Sequence, residues 1–264
     1  MMNMSDICTF VIPFRIDCPE RQRNITFIID WLAPLKSKII LLEADVESRV
    51  DKKCFRENVD YIFVEDSSPV FHRTHYINML LKHARTEIVS VWDTDVVTSY
   101  QQIEESIQNI KNGCTLAIAY NGDCVMLTSD ITDEFVKSGD LMYLEDLKLQ
   151  STFNRPFCGG AFFVNRQKYL SVGGDNEHFT GWGPEDAERL RRVQIMGHQV
   201  KWTKEGKAYH LYHPRNENSR FFDEDAAIEM RKEFVKICSM NKDELAEYIK
   251  TFPIYKIIYC IHRN

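Results

Sequence analysis

The sequence lacks the features that mark several other classes of protein. It has no run of roughly 18 consecutive apolar residues, the length that a membrane-spanning helix needs, so we expect no such helix. The N-terminus shows no charged stretch followed by a long apolar one, so a secretory signal peptide is not expected. Internal repeats, low-complexity segments and interdomain linkers are also missing, which favours a single domain.

Closely spaced cysteines and an excess of positive charge are missing too. The eight cysteines are scattered without a Cys-x-x-Cys pair, which disfavours a zinc site and a disulfide scaffold and predicts reduced thiols in a cytoplasmic protein. The formal net charge of -6 disfavours a general nucleic-acid binder, because such proteins neutralise phosphates with a basic surface. A local basic patch for a small phosphorylated ligand is still compatible with this charge.

What the 264 residues do contain is an alternation of short apolar segments and amphipathic ones. The apolar segments predict strands over residues 9–14, 38–42, 61–64, 87–92, 115–120 and 159–164, with late strands at 201–202 and 208–211. The amphipathic segments predict helices over 19–35, 73–84, 101–111, 184–196, 224–239 and 242–251.

This alternation is typical of an α/β fold in which helices flank a mainly parallel central sheet. The weakly patterned stretch 123–155 predicts an irregular excursion from that sheet. We expect one domain over residues 1–264, with a catalytic core over about 1–215 and a C-terminal helical extension over 216–264.

Asp93-Thr94-Asp95 directly follows the apolar segment 87–92. Ligands of mainly parallel sheets bind at the carboxyl ends of the strands, where these two carboxylates are expected to lie. Such a pair can hold a hard divalent cation, Mg2+ or Mn2+, which could neutralise a nucleotide diphosphate. An isolated Asp-x-Asp is more often a solvated turn, and the buried strand before this one is what favours a metal site.

His210 and His213 are candidates for the same metal site. Two imidazoles three residues apart can lie on one face of a turn and complete the set of ligands. The alternative is a surface turn with two solvated histidines, helped by Pro214. On these residues alone, the surface turn is favoured.

The segment Gly181-Trp182-Gly183 predicts a mobile loop that presents an aromatic ring to the face of a sugar. Glu185 and Asp186 follow in the first turn of a helix, where the backbone dipole favours carboxylates. One of them could be a general base that deprotonates an acceptor hydroxyl. The alternative is that both only stabilise the end of the helix.

Three smaller motifs lie at strand ends and helix starts. They are Pro13-Phe14-Arg15 after the first strand, Phe71-His72-Arg73 at a helix start, and Gly159-Gly160 before an apolar strand. Arginine and aromatic side chains at such ends can hold a diphosphate and a flat base. The two glycines permit a close approach of the backbone to a ligand, or simply a tight turn. Taken singly, each motif is more often structural.

In this order, the motifs resemble those of the GT-A fold glycosyltransferases, in particular the β-1,4-galactosyltransferase family and bacterial family 2 enzymes such as the chondroitin polymerase domains. The resemblance runs from Pro13 to about His213. It implies a UDP-sugar donor, a Mn2+ (or Mg2+) cofactor and inverting transfer of a hexose to a saccharide acceptor. It also implies a place in the synthesis of bacterial surface polysaccharide or glycolipid.

The resemblance also implies a role for each matching residue. Asp95, with His213 and His210, would ligate the metal, and Asp186 would be the catalytic base. The residues that would bind the donor or position the sugars are Pro13, Phe14, Arg15, Phe71, Arg73, Asp93, Gly159, Gly160, Trp182 and Glu185.

Three residues depart from the galactosyltransferase pattern. Pro184 replaces a glycine, which stiffens the loop. Ala187 stands where the family has an acidic residue that contacts the acceptor, which leaves the acceptor sugar open. Phe157 stands near a tyrosine that helps select galactose, and its bulk would crowd an N-acetyl group, so galactose is favoured.

Two other functions share these features: a retaining transferase on the same fold, and a non-catalytic module that binds nucleotide sugars or carbohydrates. The carboxylate pair together with Asp186 favours an enzyme. The apolar and basic segment 252–263 could contact a membrane surface near a lipid-linked acceptor, although its length favours a packed tail or a final strand. We expect a cytoplasmic protein, with peripheral contact to the inner face of the membrane left open.

Overall fold

The computed structural model describes residues 4–50, 55–216 and 221–255. The strands in these ranges are β1 (Cys8–Phe14), β2 (Lys38–Asp45), β3 (Val59–Glu65), β4 (Ile88–Trp92), β5 (Val96–Val97), β6 (Leu116–Ile118), β7 (Cys124–Met126), β8 (Ala161–Asn165), β9 (Val200–Trp202) and β10 (Ala208–His210). The helices are α1 (Pro19–Leu32), α2 (Arg73–His83), α3 (Tyr100–Lys111), α4 (Ser129–Ser138), α5 (Leu141–Asp146), α6 (Arg166–Ser171), α7 (Glu185–Ile195), α8 (Glu224–Ser239) and α9 (Lys242–Ile249), with a 3-10 turn Ala33–Leu35 after α1.

The main sheet has seven strands in the order β3-β2-β1-β4-β8-β6-β9. The first four of these are parallel to one another, and β6 is parallel to β9. Strand β8 runs antiparallel to both of its neighbours, β4 and β6. A mainly parallel sheet between helices confirms the predicted fold class. Strand β8 is the one strand of this described sheet that runs against the others.

The centre of the core lies where β1 meets β4 and β8. Every residue of β1 is buried. Phe10 of β1 packs edge-on against Trp92 of β4, with ring centroids 5.5 Å apart, and against Phe163 of β8 at 5.9 Å. The indole Nε1 of Trp92 donates a hydrogen bond to the Val96 carbonyl oxygen at 2.8 Å. The core therefore fixes the start and the end of the turn that carries Asp93 and Asp95.

A second, three-stranded sheet lies beside this turn, in the order β5-β10-β7. Strand β10 is antiparallel to β5, with His210 opposite Val96. The amide of Leu211 donates to the Asp95 carbonyl oxygen at 2.7 Å. The end of β10 is thereby held against Asp95 by backbone hydrogen bonds.

The predicted irregular excursion over 123–155 was wrong, because this segment contains β7, α4 and α5. Side-chain oxygens of Thr128 and Asp140 accept from backbone amides at the starts of the two helices. The ten-residue helix α4 is long enough to show a hydrophobic period, and the prediction missed it. Strand β7 and helix α5, with three and six residues, are too short for one. The six-residue helix α6, capped by Asn165, escaped prediction for the same reason.

Helices α8 and α9 follow the sheet, and α7 packs against both of them. Ile237 of α8 and Leu245 of α9 form a small apolar cluster with Phe252, which follows α9. Most of the tail considered for membrane contact, residues 256–264, lies outside the described residues. Among the helices described, none has both the length and the apolar character needed to cross a bilayer. The six cysteines within the described ranges are free thiols.

Candidate active site

A cavity of about 640 Å³ opens at the carboxyl ends of β1 and β4. All the predicted site residues except Gly159 line it. They are Pro13, Phe14, Arg15, Phe71, Arg73, Asp93, Asp95, Gly160, Trp182, Glu185, Asp186, His210 and His213. Side chains that are up to 200 residues apart in the sequence therefore meet at the edge where sheets of this kind bind ligands.

Asp95, His210 and His213 form a compact group whose candidate ligand atoms lie within 4.8 Å of one another. Nε2 of His213 is 3.2 Å from one carboxylate oxygen of Asp95, and Nε2 of His210 is 3.4 Å from the other. Nδ1 of His213 is 2.8 Å from the Pro214 carbonyl oxygen, and Nδ1 of His210 is 3.2 Å from that of Leu211. Each Nδ1 therefore donates to a backbone carbonyl, which turns both Nε2 atoms towards the carboxylate.

In their neutral forms, two imidazoles direct lone pairs at the carboxylate and repel it unless positive charge lies between them. Arg21 supplies part of that charge, with Nη1 3.4 Å from Asp95. One carboxylate with two imidazoles is also a ligand set that suits a divalent transition metal. The second ring nitrogen of each histidine is held by a carbonyl, as is usual for metal-bound histidines. The residues present therefore fit the predicted metal ion.

The protonation states at this group favour metal binding. Burial would raise the pKa of Asp95, but His210, His213 and Arg21 together outweigh it and hold this pKa below its usual range. Burial lowers the pKa of His210, against the attraction of Asp95. A carboxylate anion and a neutral imidazole are the forms that ligate metals.

Asp93 is engaged differently from Asp95. Its carboxylate accepts a hydrogen bond from Nη2 of Arg73 at 2.7 Å, and its amide donates to the Gly160 carbonyl oxygen at 2.7 Å. Burial raises the pKa of Asp93, although Arg73 opposes the shift. The two aspartates of the motif thus face different partners, one an arginine and the other the histidine pair.

Asp186 lies in the first turn of α7, and its Oδ1 accepts a hydrogen bond from Nη1 of Arg189. Nη1 of Arg73 is 3.6 Å from the same oxygen. Burial would raise the pKa of Asp186, but Arg189 and Arg73 outweigh it and lower this pKa. The other oxygen, Oδ2, points towards Gly159, where an added Cβ would lie only 2.0 Å away. Gly159 therefore leaves space for the Asp186 carboxylate and does not itself line the cavity.

The pKa of Glu185 is shifted in the opposite direction from that of Asp186. Its side chain is 6% exposed, and the buried Oε2 has no hydrogen-bond partner among the described residues. Burial, followed by repulsion from Asp186, raises the pKa of Glu185 to about 8. Near neutral pH, Glu185 is therefore mainly a neutral carboxylic acid that can donate a hydrogen bond to a ligand, whereas Asp186 is an anion.

Arg15 and Phe71 form the wall on the β1 side. Arg15 donates to the carbonyl oxygens of Ala44 and Ser68, each at 2.8 Å, and pairs with Asp66 at 2.9 Å. Its guanidinium carbon lies 5.6 Å from the centre of the Phe71 ring. These contacts fix Arg15 at the ends of β2 and β3, beside the ring of Phe71. The Phe71 ring is a flat aromatic surface of the kind that binds a planar base.

Trp182 forms the opposite wall and is 42% exposed. Its ring meets Phe221 edge-on at 5.0 Å, and the guanidinium of Arg231 lies 5.1 Å from the centre of the Phe221 ring. A Cβ at Gly183 would lie 2.6 Å from the sulfur of Met230 in α8. The tryptophan loop is thus packed on α8, which sequence patterns did not connect with the site.

Sequence reasoning missed several residues that line the cavity. They are Arg21, Arg155, Arg215, Phe221, Arg231 and Phe234. Each stands outside any motif, in a helix or a loop where isolated charged or aromatic residues are common. What marks them as site residues is that α1, α8 and the connecting loops border the cavity, and this is visible only in the tertiary structure.

Residues 143–214 match the family model described as the N-terminal domain of galactosyltransferase. The matched segment contains the Gly159-Gly160 pair, the Trp182 loop, Asp186 and both histidines, and it begins after Asp95. No curated protein matches the sequence.

Several solved structures have similar folds. The catalytic domain of Drosophila β1,4-galactosyltransferase 7, in complex with xylobiose, has a TM-score of 0.54 and 17% identity over 89% of this chain and 82% of that one. Glucosyl-3-phosphoglycerate synthase from Mycobacterium tuberculosis, in complex with Mn2+, UDP and phosphoglyceric acid, has a TM-score of 0.52 and 14% identity over 89% and 79%. GalNAc-T7 with UDP, GalNAc and Mn2+ has a TM-score of 0.55 and 13% identity over 92% of this chain and 49% of its own.

The fold is therefore that of the GT-A glycosyltransferases, as predicted. Within that class, the family match confirms the predicted likeness to galactosyltransferases and supports a glycosyltransferase as the class of enzyme. The Mn2+ in two of the similar structures agrees with the predicted cofactor and with the Asp95, His210 and His213 group.

Proposed function

We propose that the protein is a metal-dependent glycosyltransferase that moves a hexose, with galactose favoured, from a UDP-sugar to a hydroxyl of a saccharide acceptor. The observation that carries this proposal is the convergence of two groups on one cavity. One is the Asp95, His210 and His213 ligand set, and the other is Asp186, whose Oδ2 accepts no hydrogen bond from a described residue. Folds described with UDP and Mn2+ support the same donor and cofactor.

Asp95, His210 and His213 would hold Mn2+ or Mg2+, and a metal bound there supplies positive charge for the departing diphosphate. The two imidazoles favour Mn2+, because Mg2+ prefers oxygen ligands and keeps much of its water. The wall of Phe71 and Arg15 would hold the base of the donor. Arg73 contacts both Asp93 and Asp186, and Asp93 and Arg73 would meet the donor sugar.

Asp186 would act as the general base. Its Oδ2 takes the proton of the acceptor hydroxyl while that oxygen bonds to the anomeric carbon of the donor. The bond from this carbon to the phosphate oxygen breaks, and UDP leaves with the electron pair. Attack from the face opposite UDP inverts the configuration, and no nucleophile from the protein is needed.

Glu185, Trp182 and Phe157 would select and orient the sugars. As a neutral acid, Glu185 can donate to a sugar oxygen, and the exposed ring of Trp182 can stack on a sugar face. Phe157 stacks on Phe153 with centroids 5.0 Å apart and planes within 5°. A ring fixed in this way narrows the cavity beside the donor sugar, which favours galactose over an N-acetylated hexose.

The surface near the mouth of the cavity favours an amphiphilic acceptor, such as a lipid-linked saccharide. Trp182, which lines the cavity, and Phe222, which follows the cavity residue Phe221, are both exposed. Arg231 lines both the cavity and a shallow groove along α8 with Ile228 and Val235. Such an acceptor would place the enzyme at the inner face of a bacterial membrane, in surface polysaccharide or glycolipid synthesis.

The test is transfer by the purified protein from UDP-galactose, UDP-glucose and UDP-GalNAc to a panel of saccharides with Mn2+. We expect turnover with UDP-galactose fastest, loss of activity in excess EDTA, and an NMR coupling constant that reports inversion. Full activity in EDTA would contradict a metal role for Asp95, His210 and His213. A product of retained configuration would contradict the single-displacement mechanism. Donor binding without transfer to any acceptor would mean a binding module.

A further inference from the structure

We propose that Arg189 is a positioning residue for the general base, holding one carboxylate oxygen of Asp186 so that the other faces the acceptor. This inference rests on the proposed function, in which Asp186 is the base. In the sequence, Arg189 belongs to a charged helix and resembles a solvated surface residue. In the structure it is 1% exposed, and its guanidinium is used entirely inside the protein.

The contacts of Arg189 fix its guanidinium in every direction. Nε donates to Oδ1 of Asp175 at 2.9 Å and to the hydroxyl of Tyr169 at 3.0 Å, and Nη2 donates to the same oxygen of Asp175. The face of the group lies 4.2 Å from the centre of the Phe162 ring. In-plane hydrogen bonds and an aromatic face together hold the guanidinium in one orientation, in which Nη1 donates to Oδ1 of Asp186.

The support behind Arg189 is itself fastened to α2. The amide of Asp175 donates to Oδ1 of Asn78 at 2.8 Å, and Nδ2 of Asn78 donates back to the Asp175 carbonyl oxygen at 2.8 Å. Helix α2 also carries Arg73, which faces Asp186 directly. A buried unit of α2, the loop at Asp175 and α7 therefore sets the position of the base.

This arrangement gives the two oxygens of Asp186 different surroundings. Oδ1 is bound by Arg189, and Oδ2 is directed towards Gly159 and the cavity. The charged and titratable groups that face Asp186 are Arg73 on α2, Asp93 after β4, Tyr120 after β6, Cys158 before β8, and Glu185 and Arg189 on α7. Only the two arginines among them favour its anion, so loss of Arg189 would raise the pKa of Asp186.

The experiment compares two double variants, each of which neutralises a buried ion pair formed by an arginine of α7. Arg189→Gln with Asp175→Asn removes the proposed support without leaving a lone buried charge. Arg192→Gln with Glu188→Gln is the matched control, because that pair is equally buried and does not touch Asp186. We expect the acid limb of kcat/KM against pH to move up by about 1 pH unit or more in the first variant and to stay in place in the control. The affinity for UDP with Mn2+ should stay at the wild-type value in both.

A uniform drop in activity without a shift of the acid limb would reduce Arg189 to a structural residue and overturn the proposal. If the double variant does not fold, carbon-13 NMR of the wild-type protein decides, with Asp186→Asn assigning the signal. Titration of Asp186 at or above the ordinary range of an aspartate would then overturn the proposal. Absence of transfer by the wild-type protein would overturn the proposed function and this role with it, a result distinct from transfer with an unshifted limb.

Discussion

The cavity has two acidic corners that are built in opposite ways. In the metal corner (Asp95, His210 and His213), the carboxylate faces the Nε2 atoms of two imidazoles, which carry positive charge only when protonated. In the base corner (Glu185, Asp186 and Arg189), the carboxylate of Asp186 faces guanidinium groups that are always charged. The first arrangement needs a cation from outside, and the second already contains its counter-charge.

The difference teaches which parts of the site are completed by ligands and which are preorganised. The metal corner should change its stability and geometry when a divalent cation binds, because its ligands repel one another without one. The base corner should keep its geometry in all states, because buried hydrogen bonds hold it. Variants in the two corners should therefore fail in different assays, and four predictions test this contrast.

The largest effect is expected for Asp186→Asn. The amide cannot accept a proton from the acceptor, so kcat should fall by about 10² to 10⁴-fold, the usual contribution of a general base. Binding of UDP with Mn2+, measured by calorimetry, should be unchanged because the metal corner is intact. Near wild-type transfer by a folded Asp186→Asn protein would contradict the role of Asp186 as the general base.

In the metal corner, His213→Ala should weaken Mn2+ binding by about tenfold or more, since even residues behind the ligands commonly contribute that much. The measurement is the rise in melting temperature with Mn2+ concentration. Asp93→Asn is the matched control, because Asp93 faces Arg73 and lies outside the ligand group. Equal losses of affinity in the two variants would contradict the division between the aspartates.

Gly159→Ala should disturb the base corner alone. The new methyl group would lie 2.0 Å from Oδ2 of Asp186, so the carboxylate must move, and misplacement by about 1 Å can cost roughly 10²-fold in rate. Mn2+ binding should persist. Gly139→Ala is the control for loss of stability alone, since no atom lies within 4 Å of the Cβ it would add and only the left-handed backbone, with a φ of 62°, opposes it. Full activity of Gly159→Ala would show that the position of Oδ2 is not critical.

The fourth effect, on stability rather than on activity, is expected for Glu185→Gln. Because the folded state raises the pKa of Glu185 from 4.5 to about 8, the folded protein keeps a proton that the unfolded chain loses. This group therefore lowers the free energy of unfolding as pH rises from about 4.5 to 8. Glutamine cannot titrate, so the variant should gain stability relative to wild type between pH 5 and pH 8 in urea melts.

The exposed Glu229→Gln change is the control for that comparison. A stability difference between Glu185→Gln and wild type that is the same at pH 5 and pH 8 would contradict a neutral Glu185. Transfer activity should survive better in Glu185→Gln than in Glu185→Ala, because the amide keeps a hydrogen-bond donor.

The sequence predicted most strands and helices because their apolar residues repeat at clear periods. It also located Asp93 and Asp95, since the buried segment before them marks a strand end. The metal role of the histidines was harder to predict, because β5 and β10 have only two and three residues. No pattern in so short a strand reveals that His210 lies opposite Val96.

Arg189 and Arg192 show the other limit of sequence patterns. A helix with several arginines and glutamates is normally solvated, yet both side chains are buried with carboxylate partners from α7 and from the loop at Asp175. Burial of a charge depends on a partner that is distant in sequence or on a neighbouring helix. Sequence periodicity contains no information about such a partner.

The pairing of β10 with β5 has a consequence for how the protein folds. Asp95 and His210 are more than a hundred residues apart in the chain, and backbone hydrogen bonds between their strands bring them together. Contacts of such long sequence separation form late, because a large loop must close first. A metal ion held by Asp95, His210 and His213 would therefore gain its full set of ligands only in molecules whose strand β10 has docked. The rate at which Mn2+ affinity appears during refolding would measure that step.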